Sequence, residues 1–308
     1  MTRALLITNP AAARFHTRVV AAISQTLRGG GWTVEVRSTT ARGDARRFAE
    51  ESRGQGFDVL VCHGGDGTAM QVAAGIVGTG IPLGLVPGGT GNILAGNLRL
   101  PRRPAAAARA LLTAQPRTID VGMVERSDGP HYFAVASGTG FDAQLMADTG
   151  LQAKRRWKMA AYMARAVMTL TSVRSATHRV TVDGTAHDVR AAMLLVLNCG
   201  ELIPPFVRLG AEIAPDDGYV DVVALQADGA LQSAGALLDL FRGTGNGAGR
   251  VWRGRGRTIR VEVVDGPPRP VQLDGEPTGT TPFEVRVLPQ ALTVLVDPAR
   301  SPKGSRGG

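Results

Sequence analysis

Five residues, Gly64-Gly65-Asp66-Gly67-Thr68, follow an apolar run from Val59 to Cys62 and precede a helix-compatible segment, Ala69 to Val77. A strand that ends in a glycine turn and continues as a helix aims backbone N–H groups and a helix N-terminus at one point, which suits a phosphate. Glycine permits positive φ and leaves no Cβ between backbone and ligand. Asp66 can orient a hydroxyl, a metal-bound water or an N–H, and Thr68 can cap the helix or bind phosphate. A tight βα turn that happens to be glycine-rich would read the same way. Against that plainer reading stands a second turn, Pro87-Gly88-Gly89-Thr90-Gly91-Asn92, which follows another apolar run, Ile81 to Val86.

The elements that must hold these turns alternate in type. Ala4 to Thr8 reads as a buried strand closed by Asn9-Pro10, and Phe15 to Leu27 has helical spacing before Gly29-Gly30-Gly31. Thr33 to Arg37 alternates as a second strand ending in Ser38-Thr39-Thr40, and a helix runs from about Asp44 to Arg53. Strand, helix, strand, helix, strand predicts a parallel α/β sheet, whose ligands sit beyond the carboxyl ends of the strands. Asn9, Thr39 and Asp66 all fall at such ends. Short helices are expected at Ile93–Leu98 and Ala105–Leu112, and this domain is expected to span residues 1–118.

From Ile119 strand-like runs dominate, which predicts a mainly antiparallel β-sandwich over residues 119–297. Two helical segments interrupt it, Lys158–Thr171 and Ala230–Phe241. The first carries Met159, Met163, Ala166, Val167 and Leu170 on one face, which reads as a helix packed on the sandwich or a pliable wall for acyl chains. Basic runs at Lys154-Arg155-Arg156-Lys158 and at 249–260 suit either anionic headgroups or solvated faces. Residues 298–308 read as a disordered basic tail.

The chain has 308 residues, 44% hydrophobic, with net charge +9. Such a charge favours an anionic partner. With three Tyr, three Trp and no basic-aromatic interleaving, nucleic acid is not the expected one. Cys62 and Cys199 sit in apolar runs without metal-ligand or CxxC spacing and read as buried thiols in a reducing compartment. The five histidines form no HxxH or HExxH pattern, His63 is expected to pack or cap the turn, and GxSxG is absent. The first residues turn polar too soon for a signal peptide, and no apolar run approaches the ~20 residues of a membrane span. A cytoplasmic, peripherally membrane-associated protein is the expectation.

The ordered set Asn9-Pro10, GGDGT, PGGTGN, Ala214-Pro215-Asp216-Asp217-Gly218 and Asp274-Gly275-Glu276 resembles the diacylglycerol kinase catalytic family, which includes bacterial lipid kinases and the sphingosine and ceramide kinases. The resemblance covers nearly the whole chain. It implies ATP bound between an α/β domain with a parallel sheet and a β-sandwich. By position it assigns nucleotide contacts to Asn9, Pro10 and Thr39 (with Thr40 adjacent), to Gly64, Gly65, Asp66, Gly67, Thr68, Ala69 and Met70, and to Gly89 and Thr90. It implies that Asp274 and Glu276 lie near the acceptor hydroxyl, one of them taking its proton. It also implies a structural Mg²⁺ on Asp217 and the carbonyls of Ala214 and Tyr219, coupled to the active site through Asp120. Asn92-Ile93-Leu94-Ala95 departs from the usual Asn-Asp-Phe-Ala, which puts the polar network around Asn92 in question. Bacterial relatives often pair, which suggests a homodimer.

Phosphoryl transfer asks the protein mainly for positioning and charge neutralisation. Asp66 is the expected organiser of the nucleotide's Mg²⁺, Glu276 the first choice for proton acceptor and Asp274 the second. The expected activity is transfer of the ATP γ-phosphate to a lipid hydroxyl, that of diacylglycerol foremost. An NAD kinase-like enzyme with a soluble dinucleotide acceptor, and a non-catalytic lipid-binding protein on the same scaffold, are the alternatives.

Overall fold

The computed structural model describes residues 1–140, 175–203, 207–210, 212–226 and 251–298. The helices expected at 158–171 and 230–241, the basic run at 154–158 and the tail beyond Pro298 lie outside them.

The first half alternates as expected: β1 (Arg3–Thr8), α1 (Thr17–Gly29), β2 (Thr33–Ser38), α2 (Asp44–Glu51), β3 (Val59–Gly64), α3 (Asp66–Ile76), β4 (Leu83–Pro87), α4 (Ile93–Asn97) and α5 (Pro104–Leu111). The strands lie in the order β2-β1-β3-β4, all parallel. Parallel strands covered by helices on both faces must be apolar at every position, and β3 and β4 are buried along their whole length. Leu5, Ile7, Leu60 and Cys62 face α2 and α3, whereas Ala4, Leu6, Val59 and Val61 face α1 and α5.

The second half is antiparallel. Its strands are β5 (Gln115–Arg126), β6 (Gly129–Phe133), β7 (Ala136–Gly140), β8 (Ala176–Val182), β9 (Thr185–Ala191), β10 (Met193–Leu197), β11 (Glu201–Ile203), β12 (Val207–Arg208), β13 (Val220–Leu225), β14 (Val251–Gly256), β15 (Thr258–Val263), β16 (Pro270–Leu273), β17 (Glu276–Thr280) and β18 (Phe283–Val296). One layer is the six-stranded sheet β14-β13-β10-β7-β16-β17. The other contains β18, β15, β8, β9, β5 and β6, and is continuous with the parallel sheet because Val294 of β18 pairs with Leu83 of β4. The layers enclose Phe133, Val180, Leu194, Val196, Val222 and Ile259.

Several element boundaries differ from expectation. Residues 283–287 and 292–296 form one strand, because the interruption between Leu288 and Leu292 is a bulge. There Gln290 adopts φ 52° and its N–H donates to Asp120 Oδ1 at 2.8 Å. The run from His131 to Ser137 is two strands, β6 and β7. β5 begins at Gln115, so it runs through residues 118 and 119. The edge strands β9, β14 and β17 were not evident, since charged, proline or glycine residues obscure their alternation. Among the described residues no helix is long and apolar enough to cross a membrane.

His178 on β8 is fully buried. Burial, reinforced by the charge of Arg269, pushes its pKa down to about 4. The unfolded chain therefore takes up a proton near pH 6.5 that the native state refuses until about pH 4. Relative to His178→Phe, the wild type should lose stability as pH falls through that window, by about 3 kcal/mol, and lose no more below it. Urea unfolding of both proteins between pH 7.5 and 3.5 checks this.

Candidate functional site

Parallel pairing of β3 with β4 sets Gly64 opposite Pro87, so the two glycine turns leave the sheet side by side. The Gly88 N–H donates to the Gly64 carbonyl at 2.8 Å. A Cβ built on Gly89 would stand 2.5 Å from Gly65 Cα, so these backbones touch where any side chain would part them.

Asp66, the first residue of α3, holds the second turn directly. Its Oδ2 accepts the Asn92 N–H at 2.7 Å and its Oδ1 the Ile93 N–H at 2.5 Å. Burial pushes its pKa up, and the N–H groups of Ile93 and Asn92 pull it back. Asn92, at φ 51° and ψ 51°, closes the turn on itself. Its Oδ1 accepts the Gly89 N–H at 2.9 Å and its Nδ2 donates to the Gly89 carbonyl at 2.8 Å. The network around Asn92 is thus complete without an acidic residue at position 93. Thr90 projects from the turn, exposed.

The first turn joins this pair. Asn9 Nδ2 donates to Thr68 Oγ1 at 2.8 Å, its Oδ1 accepts the Ala11 N–H at 2.9 Å, and Pro10 is exposed beside it. Ala69 spends its N–H on the Gly65 carbonyl, so the N–H groups of Gly67 and Thr68 precede the first helical bond of α3. The Ala69 and Met70 side chains are buried and face the core. Thr40 gives its hydroxyl and N–H to Asp44 Oδ2, at 2.9 and 2.8 Å. Thr39 is half-buried at the end of β2, and its hydroxyl makes no hydrogen bond among the described residues. His63 packs under the second turn, fully buried, its Nδ1 3.1 Å from the Val86 carbonyl; burial lowers its pKa. Cys62 and Cys199 are buried free thiols, and burial pushes the Cys62 thiol up to about 12.

The acid pair lies on a tight hairpin between β16 and β17. Asp274 and Gly275 have φ of 47° and 87°, the left-handed pair that Asp-Gly supplies at a two-residue turn. Asp274 points inward. Its carboxylate accepts the N–H groups of Ala134, Val135 and Ala136 at 2.8, 3.0 and 2.8 Å. Burial pushes its pKa up to about 7 against those bonds, and the charge of Asp66 adds to the rise. Glu276 points outward over α3, its Oε1 3.0 Å from where a Cβ on Gly67 would lie. The structure therefore gathers Asn9, Gly64 to Thr68, Gly89, Thr90 and Glu276 around the start of α3, with Asp274 beneath the hairpin.

The proposed metal residues lie apart, on the loop before β13. Asp217 Oδ1 accepts the Tyr219 N–H at 3.0 Å, and its Oδ2 pairs with Arg255 at 2.5 Å. Asp216 pairs with Arg117 at 2.7 Å through Oδ2, while its Oδ1 is buried with no hydrogen-bond partner among the described residues. Asp120, fully buried, accepts the Gly218 N–H at 2.6 Å and, as above, that of Gln290, which ties this loop to the bulge of β18. Hard carboxylate and carbonyl oxygens suit Mg²⁺, and the orphaned oxygen of Asp216 fits a cation at this loop. No group of three or more His, Cys, Asp or Glu is arranged to hold a metal among the described residues, so loop carbonyls would have to complete the set. In the basic stretch at 251–260, Arg253, Arg255 and Arg260 each lie within 4.0 Å of a carboxylate.

Two glycine turns at the carboxyl edge of a parallel sheet, facing an acid-bearing hairpin from an antiparallel sandwich, define the two-domain class in which NAD kinases and diacylglycerol kinases build their sites. The profile of the diacylglycerol kinase catalytic domain matches residues 3–124, and that of the YegS C-terminal NAD kinase beta sandwich-like domain matches residues 134–296. A Pseudomonas putida protein named "Probable lipid kinase YegS-like" is 32% identical over 285 residues, covering 92% of this chain and 91% of that protein. A Mycobacterium tuberculosis diacylglycerol kinase is 29% identical over 257 residues, covering 82% and 81%. The chain spans 56% of the length of a third relative, the Synechocystis protein sll0036, with 26% identity. A solved diacylglycerol kinase structure from Bacillus anthracis superposes with a TM-score of 0.73 at 20% identity, over 97% of this chain and 98% of that one. The chain belongs to the diacylglycerol kinase and YegS-like lipid kinase family.

Because Gly89 and Gly65 touch, Gly89→Ala should lower the melting temperature by several degrees, the cost of overpacking being about 1–3 kcal/mol. Gly29→Ala, at a helix end with nothing within 4 Å of the new methyl, should leave it unchanged or slightly raised. Calorimetry of both variants tests the contact.

Proposed function

We propose that this protein is an ATP-dependent lipid kinase, with diacylglycerol as acceptor and phosphatidic acid as product. The observation that carries this reading is the placement of Glu276 over the start of α3, where N–H groups from the glycine turn await an anion. A nucleotide phosphate bound there would lie between the two glycine turns and an exposed carboxylate on the opposite domain.

In this reading Gly64 to Thr68, Gly89 and Thr90 bind the phosphates, and Asn9, Pro10 and Thr39 line the nucleotide. Asp66 fixes the second turn through the N–H groups of Asn92 and Ile93. Glu276 accepts the proton of the lipid hydroxyl as the acceptor oxygen bonds to the γ-phosphorus and the bond to the β-phosphate oxygen breaks, releasing ADP. A carboxylate within hydrogen-bond reach suffices because the proton can leave late. Asp274, committed to three backbone N–H groups, positions the hairpin that carries Glu276. Mg²⁺ entering with the nucleotide would neutralise phosphate charge. A second Mg²⁺ on Asp217 and the carbonyls of Ala214 and Tyr219 would brace the loop that Asp120 anchors. The net charge of +9 supports peripheral contact with an anionic membrane, where the lipid acceptor resides.

With radiolabelled γ-phosphate ATP, Mg²⁺ and diacylglycerol in anionic micelles, the wild type should yield a chloroform-soluble product. Glu276→Gln should lower kcat at least about a hundred-fold. Label found only in NADP, with NAD in the same panel, would replace the proposal with a dinucleotide kinase. No product from any acceptor would return the protein to the class of lipid binders.

A further inference from the structure

Arg42 enters the site from the loop between β2 and α2. Its Nη2 lies 3.2 Å from Glu276 Oε2, so side chains 234 positions apart meet across the cleft between the two halves of the molecule. The other arginines around this loop pair with acids of β2 and α2 in their own domain: Arg37 with Glu35 and Glu51, Arg46 with Glu50, and Arg47 with Asp44 and Glu51. Arg42 instead crosses to the opposite domain.

Stability does not explain the contact. The Arg42 and Glu276 side chains are 81% and 56% exposed, and an ion pair that open to water contributes little to folding. Its location is more telling. Glu276 Oε1 sits against Gly67 in the first turn of α3, where an anion is favoured by the helix dipole and unpaired N–H groups. The carboxylate is the protein's own anion at the position suited to a phosphate, and Arg42 is its counter-ion. The root of the loop is anchored, and the Arg42 side chain beyond it is exposed. Asp44 Oδ2 accepts the N–H groups of Thr40 and Ala41, both at 2.8 Å, and those bonds hold its carboxyl well below the usual range. Arg42 follows immediately on this anchored pair.

We propose that Arg42 is the cation for the terminal phosphate of the nucleotide and exchanges partners during the reaction. In the nucleotide-free protein it pairs with Glu276. When ATP binds, the guanidinium moves to the γ-phosphate oxygens, where its fork of donors suits a phosphate. That exchange releases the Glu276 carboxylate toward the acceptor hydroxyl and places positive charge beside the transferred group. ADP, which lacks the terminal phosphate, leaves the resident pair intact. The inference rests on the proposed reading of this cleft as an ATP site.

Calorimetric titration of Mg-ATP and Mg-ADP without lipid tests it on the wild type, Arg42→Gln, Arg42→Lys and Glu276→Gln. Arg42→Gln should weaken ATP about ten-fold, the worth of one charge-assisted contact, with ADP affinity and melting temperature unchanged. Arg42→Lys should restore part of the loss. Glu276→Gln should tighten ATP, because the resident anion no longer holds Arg42, and this gain should vanish in the double variant. Equal weakening of ATP and ADP, or unchanged ATP affinity in Arg42→Gln, overturns the inference while leaving the ATP site in place. A wild type that binds neither nucleotide removes the ATP-site reading itself.

Discussion

The Asp66 carboxylate is the point on which the site's architecture turns. It belongs to the first turn of α3 and accepts the backbone N–H groups at the start of α4, so the positive ends of two helices converge on one negative charge. α4 has five residues and could not persist unsupported. Its anchorage to Asp66 lets the second glycine turn hold a defined position against the first. Without that carboxylate, the N–H groups of Asn92 and Ile93 would lose their acceptor, and the contact between Gly65 and Gly89 would lose its clamp. The raised pKa of Asp66 reflects the cost of burying the charge, which the convergent donors offset.

A second constraint relates the two halves. β18 begins in the sandwich beside β15 and ends beside β4 of the parallel sheet, so the domains share backbone hydrogen bonds rather than a flexible linker alone. The bulge that lets one strand serve both environments is held by Asp120, which also binds Gly218. The acid hairpin is fixed separately, through Asp274 and the junction of β6 with β7. Distances across the cleft are therefore set by sheet geometry, which tolerates little drift.

Much of this was legible in the sequence for identifiable reasons. Strands buried on both faces leave continuous apolar runs, and glycine turns stand out because few other residues satisfy them, so the α/β half was readable. The polar couplings were not. Asp66 was expected to orient a hydroxyl, a metal-bound water or an N–H, and its bonds run to the N–H groups of Asn92 and Ile93; no local pattern discloses which N–H a carboxylate will meet. Asn92 stood in the motif, but its reciprocal bonds with Gly89 depend on a left-handed backbone that only the folded turn reveals. Arg42 was missed because its partner lies 234 positions away. β9 and β14 escaped because an edge strand, paired on one side, need not alternate cleanly.

The two acids of the hairpin lie two residues apart, yet their surroundings differ sharply. Strand alternation sends residues separated by two to the same face, but the left-handed Asp274-Gly275 turn breaks that rule between the two acids. Asp274 is driven inward onto three N–H groups, while Glu276 opens β17 on the cleft side. Were Asp274 the proton acceptor, it would have to loosen the bonds that hold the junction of β6 with β7, and each turnover would disturb the hairpin. Glu276 faces the cleft, with the exposed guanidinium of Arg42 and the open first turn of α3 as near neighbours. A buried acid tied to three backbone N–H groups beneath and an exposed acid above leave the hairpin's anchorage and its cleft-facing carboxylate to separate residues.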